Sequence, residues 1–239
     1  MQLLAQTAEL ESMTRRVGNI ELGLSLGFVG STLYGMLPEI IRRFRDENTS
    51  VELSLHEMTT MEQISALEVG RIDIGFGRIR HEDANIRRVV LREEKMIVAF
   101  PVGHPLSLVK PVLALRGFIN ETLITFPNAP RPSYADQVLS AFQERSLKPA
   151  RIYEVRELQI ALGLVAADEG ISIVPSSVHG LKRDDVVNRE LDDPTLVSPI
   201  IMSMRMLDQS PDIREMLELI YRLYEQEKIP YPPRTDPAR

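Results

Sequence analysis

Apolar and polar positions alternate along the chain in two periods, one typical of strands and one typical of helices. After residue 19 the pattern predicts a strand in IELGLSLGF, a helix in LPEIIRRFRDEN, a strand in VELSLHEM, a helix in TTMEQISALEVG and a strand in RIDIGFGR. The second helix has a capping-box pattern, Thr59 with Glu62, at its start and Gly70 at its end. Strands and helices that alternate with short loops predict βαβ units and a parallel sheet.

The same alternation returns in the second half of the chain. MIVAFP, TLITFP, ISIVPSS and SPIIMSMRM predict four strands. Three helices are predicted with them: one after a capping box of Ser133 and Asp136, one in ELQIALGLVAADEG, and one after an N-cap at Ser210. The second of these is apolar almost all round, so we expect it to be buried. The prediction is an α/β fold of two halves with crossings near Met96 and Ser198, the plan of a two-lobed binding protein with a hinge and a cleft.

This pattern divides the chain into four predicted parts. In residues 1–18, apolar residues seven positions apart predict an amphipathic surface helix or the end of a heptad-repeat helix. Residues 19–95 and 198–228 form one predicted subdomain and residues 96–197 form the other. The Pro-rich residues 229–239 predict a flexible tail.

Composition narrows the function classes. The 239 residues carry a net charge of −6, so the chain has no excess of basic residues with which to bind nucleic acid by itself. The chain contains no Cys, which excludes thiol catalysis and Cys-ligated zinc, and its four His have no metal-ligand spacing. We therefore expect no metal and no cofactor. No apolar run reaches the roughly 20 residues of a membrane span, and no secretory signal is apparent, so we expect a cytoplasmic protein.

The segment GFVGST, Gly27–Thr32, is the first candidate for chemistry. It has no Lys for a phosphate loop, only one interval of the dinucleotide fingerprint, and no G-x-S-x-G nucleophile pattern around Ser31. Two interpretations remain. Ser31 and Thr32 are a plain helix cap, or they bind an anion with the free N–H groups at the start of a helix.

Other residues favour the anion interpretation. Thr60 opens the second helix and Arg78 follows the third strand, so both should lie at the carboxyl edge of the same parallel sheet, where α/β folds bind ligands. Arg78 is a plausible countercharge for a carboxylate. Pro132, Ser133 and Tyr134 begin a helix in the second half and could face the first half across a cleft. The alternative roles are capping for Ser133 and core packing for Tyr134.

Four segments resemble the effector-binding domain of LysR-type transcriptional regulators, from about Ile20 to Tyr224 and in family order. They are LGFVGSTLYGMLPEIIRRFR, VELSLHEMTTMEQISALEVGRIDIGFGR, PNAPRPSYADQVLSAF and VRELQIALGLVAADEGISIVPSS. LPEIIRRFR and GRIDIGFG are typical of the whole family. HEMTT, GFGR and RPSYAD indicate the CatM/BenM/CatR-like branch, which regulates catechol, muconate and benzoate degradation.

The resemblance implies a fold of two Rossmann-like subdomains joined by two crossover strands, similar to periplasmic binding proteins. It implies a winged helix-turn-helix that this chain lacks, with residues 1–18 as the end of the linker helix that dimerises it. The implied partners are promoter DNA through that domain, other copies of the chain in a dimer or tetramer, and RNA polymerase indirectly. The implied inducer is cis,cis-muconate, a dicarboxylate held between the subdomains.

Carried over by matching motif, the inducer contacts fall on Gly30, Ser31, Thr32, Thr60, Arg78, Pro132, Ser133 and Tyr134. Two of these depart from the branch pattern. Thr32 stands in place of an apolar residue and Tyr134 in place of Phe, and each adds a hydroxyl to the predicted pocket. Because an unpaired buried polar group is penalised, the preferred acid can differ from muconate.

A second candidate ligand site follows from the same resemblance. One member of the branch binds benzoate in an apolar site of its first subdomain, and the matching residues are Arg92, Glu94 and Tyr224. An internal ion pair of Arg92 with Glu94, with Tyr224 in the helix core, is an equally good interpretation of these residues.

The leading hypothesis is the effector-sensing domain of a bacterial LysR-type regulator that binds a small aromatic-catabolism acid and is not an enzyme. A solute-binding protein for a small organic acid shares the two-lobed plan, but it needs an export signal. An α/β enzyme with Ser31 or Thr60 as its catalytic group needs a base beside the hydroxyl, and the sequence offers none that is obvious.

Overall fold

The computed structural model describes residues 23–109 and 113–234, so the helix predicted at residues 1–18 lies outside the described residues. The described residues form two compact units. Unit 1 contains the residues up to Arg92 and those from Pro199 onward, and unit 2 contains Glu93 to Ser198. The chain passes from one unit to the other twice, each time inside a strand.

Strands and α-helices alternate along both units, with short 3-10 helices between some of them. The longer elements in chain order are β1 (Gly23–Phe28), α1 (Leu37–Glu47), β2 (Glu52–Glu57), α2 (Thr60–Glu68), β3 (Ile74–Gly77), β4 (Ile86–Pro101), β5 (Thr122–Thr125), α3 (Tyr134–Glu144), β6 (Arg151–Glu154), α4 (Leu158–Ala166), β7 (Ser172–Pro175), β8 (Val186–Glu190), β9 (Val197–Arg205) and α5 (Pro211–Gln226).

The sheet of unit 1 has the strand order β2–β1–β3–β9. β1 runs parallel to both of its neighbours, with Phe28 opposite Glu57 on β2 and opposite Phe76 on β3. β9 is antiparallel to β3, with Ile201 opposite Gly77. The predicted parallel sheet is therefore confirmed for β1, β2 and β3, and the carboxyl ends of these three strands meet at one edge.

The main core of unit 1 lies between these strands and two amphipathic helices, α1 and α5. α1 buries a stripe of residues three and four apart, and so does α5. The face predicted for α5 is confirmed, since all of its members are buried: Ile213, Met216, Leu217, Ile220, Leu223 and Tyr224. Burial of each large apolar side chain contributes about 1.5–3 kcal/mol, so these two helices hold the sheet of unit 1 together.

Residues 229–234, the described part of the predicted flexible tail, pack against α5, and the flexibility of the tail stays a prediction. The Tyr231 ring lies 5.1 Å from that of Tyr221, and the Arg234 guanidinium lies 4.5 Å above the Tyr221 ring. The Tyr231 hydroxyl donates to Glu225 at 2.7 Å. This hydrogen bond, followed by one from Arg234, lowers the pKa of the Glu225 carboxyl below its ordinary value of 4.5.

Unit 2 combines antiparallel and parallel pairing. β4 is antiparallel to β7 and to β8, while β5 and β6 form a parallel pair. α3 and α4 belong to this unit. The prediction that α4 is buried all round is wrong, because Ile160 is 46% exposed and the buried residues occupy one face, Leu158, Ala161, Leu162 and Val165. Because nearly all residues of α4 are apolar, the sequence pattern did not show which face is buried.

None of the helices in the described part of the chain has the length and hydrophobicity that a membrane crossing requires.

Candidate functional site

The first candidate site lies where β1, β2 and β3 end at the same edge of the unit 1 sheet. A 3-10 helix, Gly30–Tyr34, follows β1. Thr60 is the first residue of α2, directly after its N-cap Thr59, and Arg78 follows β3. The parallel register of β1 with its neighbours brings these three segments together. This is the edge at which open α/β sheets bind their ligands.

Arg78 connects the three segments. It is only 2% exposed, and its Nε donates to the Oγ of Ser31 at 2.8 Å, while Nη2 makes a longer contact of 3.4 Å with the Ser31 carbonyl oxygen. The backbone N–H of Arg78 donates to the Oγ1 of Thr60 at 3.2 Å. The structure thus brings together Ser31, Thr60 and Arg78, which we call the Arg78 cradle.

The direction of these hydrogen bonds decides what the Arg78 cradle offers a ligand. Because the hydroxyls of Ser31 and Thr60 each accept a hydrogen bond from Arg78, each keeps its own hydrogen for donation to another group. At the start of the 3-10 helix, the N–H groups of Gly30 and Ser31 have no preceding turn to supply an acceptor. Hydroxyl donors, N–H donors and a guanidinium at one edge suit a carboxylate.

The same geometry bears on the enzyme hypothesis. The side chain that contacts the Ser31 hydroxyl is a guanidinium, which stays protonated and cannot take the serine proton. Thr59 and Glu62 form the predicted capping box at the start of α2, so the nearby Glu62 carboxylate is engaged with the helix N-terminus. The described part of the chain also has no group of three or more His, Cys, Asp or Glu that could hold a metal ion.

Thr32 lies in the 3-10 helix that follows β1. The helix predicted in LPEIIRRFRDEN begins at Leu37 as expected, with Pro38 in its first turn, and the helical segment that contains Ser31 and Thr32 is the short 3-10 helix before it. Thr32 is buried and its Oγ1 donates to the carbonyl oxygen of Val29 at 2.7 Å. Its hydroxyl hydrogen is therefore used inside the turn, and neither residue is the cap of an α-helix.

Two glycines allow the close packing around the Arg78 cradle. A Cβ on Gly77 would lie 2.7 Å from the Oγ1 of Thr60, so only glycine lets Thr60 approach β3 this closely. A Cβ on Gly30 would lie 2.9 Å from the Oε1 of Glu57. Neither Gly77 nor Glu57 was among the site residues predicted from the sequence. The GFG pattern directly before Arg78 was the available signal for Gly77, and Glu57 lies at the end of β2, beside Thr59 and Thr60.

The second group of predicted residues, Pro132, Ser133 and Tyr134, lies in unit 2. Ser133 is the N-cap of α3 and is buried. Its Oγ donates to the carbonyl oxygen of Pro127 at 2.8 Å, and its N–H donates to the carboxylate of Asp136 at 2.6 Å. The predicted capping box of Ser133 and Asp136 is therefore present, and both hydrogens of Ser133 are used within unit 2.

Tyr134 is buried and stacks on Phe126, with 5.2 Å between the ring centroids. This is the core packing that the sequence analysis gave as the alternative to ligand contact. Whether Pro132, Ser133 and Tyr134 contact a ligand stays a prediction.

The second candidate site was predicted at Arg92, Glu94 and Tyr224. Tyr224 is buried in the core of unit 1, with its ring centroid 6.1 Å from that of Tyr231. Glu94 is buried in unit 2 and accepts a hydrogen bond from the Ser177 hydroxyl at 3.2 Å, a contact that the sequence did not predict. Arg92 is the last residue of unit 1 before the chain enters unit 2. A ligand role for these three residues stays a prediction.

This chain is similar to known proteins over nearly all of its length. A family model described as LysR substrate binding domain matches residues 21–224. The HTH-type transcriptional regulator BenM of Acinetobacter baylyi is 38% identical over 234 residues, which cover 98% of this chain and 77% of that protein. The HTH-type transcriptional regulator CatR of Pseudomonas putida is 43% identical over 216 residues, covering 90% and 74%.

A solved structure gives the same result in three dimensions. The BenM effector binding domain with its effector benzoate matches with a TM-score of 0.85 and 39% identity, over 90% of this chain and 97% of that one. The match therefore extends to nearly the whole of that domain.

Proposed function

Because the chain belongs to the LysR substrate binding domain family, we propose that its Arg78 cradle binds the carboxylate of a small organic acid that acts as effector. Membership of the family confirms that the chain is the effector-binding part of a transcriptional regulator and not an enzyme. One observation carries the proposal. The buried Arg78 donates from Nε to the Ser31 hydroxyl and from its backbone to the Thr60 hydroxyl, which leaves two hydroxyl hydrogens to donate to a carboxylate.

The proposed effector is an acid of the muconate or benzoate type. Support comes from the relative BenM, whose effector binding domain is described with its effector benzoate, and from the branch resemblance, which implies cis,cis-muconate. A cradle made of donors binds the ionised acid and penalises an amide or ester in its place, because neither can supply two equivalent charged acceptors. The Arg78 cradle is thus expected to select for a free carboxylate.

For the remaining part of the effector, the branch resemblance assigns contacts to Pro132, Ser133 and Tyr134. Since both hydrogens of Ser133 are already donated, to Pro127 and Asp136, we expect this residue to shape the site or accept a hydrogen bond rather than to donate one. We also propose that Arg92, Glu94 and Tyr224 belong to a second site, separate from the Arg78 cradle, that binds benzoate.

Signal transmission follows from linkage. An effector changes the regulator only as far as it binds one arrangement of the assembly more tightly than another. We propose that the regulator is a homotetramer that contacts promoter DNA and, indirectly, RNA polymerase, as the branch resemblance implies. Since such a regulator acts on bacterial DNA, we also propose that it works in the cytoplasm.

Calorimetric titration of the whole chain with cis,cis-muconate, benzoate and the corresponding amides tests the proposal. Saturable heat with an acid, and none with its amide, is the expected result. If neither muconate nor benzoate gives heat or raises the melting temperature, the effector assignment is wrong.

A further inference from the structure

Arg131 lies directly before the Pro132–Tyr134 segment and connects three parts of unit 2. Its Nε donates to the carbonyl oxygen of Asn128 at 3.1 Å. One of its terminal nitrogens donates to the carboxylate of Asp136 on α3, and the other donates to the carboxylate of Glu154 at the end of β6. One guanidinium thereby joins the loop before α3, the first turn of α3 and the end of a strand.

Asp136 carries this connection on to Ser133. One oxygen of the Asp136 carboxylate accepts from Arg131, and the other accepts from the N–H of Ser133 at 2.6 Å. Because both oxygens are engaged, the carboxylate has one orientation, and its hold on the Ser133 backbone depends on the arginine. Ser133 is the middle residue of the segment that the branch resemblance assigns to the effector.

Arg131 also determines the charge beside this segment. Without the guanidinium, the Asp136 and Glu154 carboxylates would be two negative charges beside this segment that have lost the ion-pair partner they share. The side chains of Arg131, Asp136 and Glu154 are 34%, 41% and 41% exposed. Ion pairs this exposed contribute little to the free energy of unfolding. Loss of Arg131 should therefore affect anion binding more than it affects folding.

We propose that Arg131 is a positioning residue of the effector site: it fixes the Pro132–Tyr134 segment through Asp136 and neutralises the carboxylates beside it. The inference rests on the proposed function, because it requires that an acid be bound near this segment. Arg131 need not contact the effector itself.

The test is a titration of the whole chain with cis,cis-muconate at low and high salt. Arg131→Ala is expected to weaken binding about fivefold at low salt and less at high salt, because ions screen the uncovered charges. Asp136→Asn in the Arg131→Ala background removes one such charge and keeps an oxygen that accepts from Ser133. The double variant is therefore expected to recover the part of the affinity that this charge had cost, which loss of structure alone would not allow.

Arg145→Ala is the matched control. Arg145 follows the last residue of the same helix, α3, is also partly exposed, and donates to the Asp193 carboxylate at 2.9 Å. Its loss removes a comparable ion pair far from Ser133 along the helix, and the affinity is expected to stay at the wild-type value. Equal affinities for Arg131→Ala and Arg145→Ala, or no recovery in the double variant, would overturn the proposal.

A measurement without ligand separates this proposal from the proposed function. Hydrogen exchange of the peptide covering residues 128–137 is expected to be faster in Arg131→Ala than in Arg145→Ala. Unchanged exchange contradicts the positioning role even if the acid binds. Faster exchange in a chain that binds neither muconate nor benzoate supports the positioning role and assigns the failure to the proposed function.

Discussion

Two arginines, one in each unit, lie beside a serine that the sequence predicted as an effector contact, and they act on it in opposite ways. Arg78 is buried and donates to the hydroxyl of Ser31, so that this hydroxyl keeps its hydrogen for a ligand. Arg131 is partly exposed and donates to two carboxylates, one of which takes the N–H of Ser133. The first arginine supplies donors to a site, and the second neutralises acids next to one.

A hydroxyl residue at the start of a helical segment is therefore not by itself an anion site. Ser31 and Ser133 look alike in the sequence, since each opens a predicted helix and has an arginine among its possible neighbours. The direction of their hydrogen bonds distinguishes them: Ser31 accepts from Arg78, whereas Ser133 donates to Pro127 and Asp136. The predicted consequences of this difference can be measured.

The largest effect is expected from Arg78→Ala. Loss of hydrogen bonds that involve a charged group should weaken binding of muconate or benzoate by about 1.5–3 kcal/mol, measured by calorimetric titration. Arg145→Ala, which removes an ion pair in unit 2, serves as the control. An unchanged affinity in Arg78→Ala would show that Arg78 does not bind the acid. The contrast between Arg78 and Arg131 would then be wrong.

Gly77→Ala tests the packing on which the Arg78 cradle depends. The added Cβ would lie 2.7 Å from the Oγ1 and 2.9 Å from the Cγ2 of Thr60. Such overpacking should lower the free energy of unfolding by about 1–3 kcal/mol, measured by urea denaturation, and should weaken acid binding. Gly163→Ala is the control, because nothing lies within 4 Å of a Cβ there. An equal result for both variants would show that Thr60 is not held against β3.

Ser31→Ala and Ser133→Ala compare the two serines directly. Removing the Ser31 hydroxyl should cost about 1 kcal/mol of binding free energy, and about 1 kcal/mol of stability as well, because the Nε of the buried Arg78 loses its acceptor. Removing the Ser133 hydroxyl should cost about 1 kcal/mol of stability through its lost contact with Pro127, with a smaller loss of affinity. Titration gives the loss of binding free energy for each variant, and thermal unfolding gives its loss of stability. The reverse pattern would mean that the two arginines have been assigned the wrong roles.

The smallest change in affinity is expected from Thr32→Val. Because the Thr32 hydroxyl donates to Val29 within the turn, its removal should lower stability by about 1 kcal/mol and change acid affinity by less than about twofold. A marked change in the preference between muconate and benzoate would instead support the prediction that Thr32 adds a polar group to the pocket.

Much of the fold was accessible from the sequence because it depends on local patterns. The family and the α/β fold class of two Rossmann-like subdomains were predicted and are confirmed. Period-two and period-3.6 runs located β1, β2 and α5, and the Thr59–Glu62 pair located the start of α2. Arg78 could be placed at the sheet edge because it directly follows a strand in a parallel arrangement.

What the sequence could not provide depends on contacts between distant residues. The partner of Arg78 on Ser31 is 47 positions away, and the partner of Arg131 on β6 is 23 positions away. The strand β6 itself was missed because all four of its residues are exposed, so it has no apolar period. The 3-10 helix at Gly30–Tyr34 was not predicted as a separate element, although Ser31 and Thr32 suggested a helix start five to six residues before the α-helix that begins at Leu37.

The two crossings of the chain, within β4 and β9, have a consequence for the order of folding. Unit 2 is one continuous stretch, from Glu93 to Ser198, whereas unit 1 is assembled from two stretches separated by all of unit 2. β9 pairs with β3, and α5 joins the core with α1, so unit 1 lacks one of its strands and a core helix until β9 and α5 have been synthesised. During translation, unit 2 can therefore complete its fold first, and closure of unit 1 is the long-range, slower step.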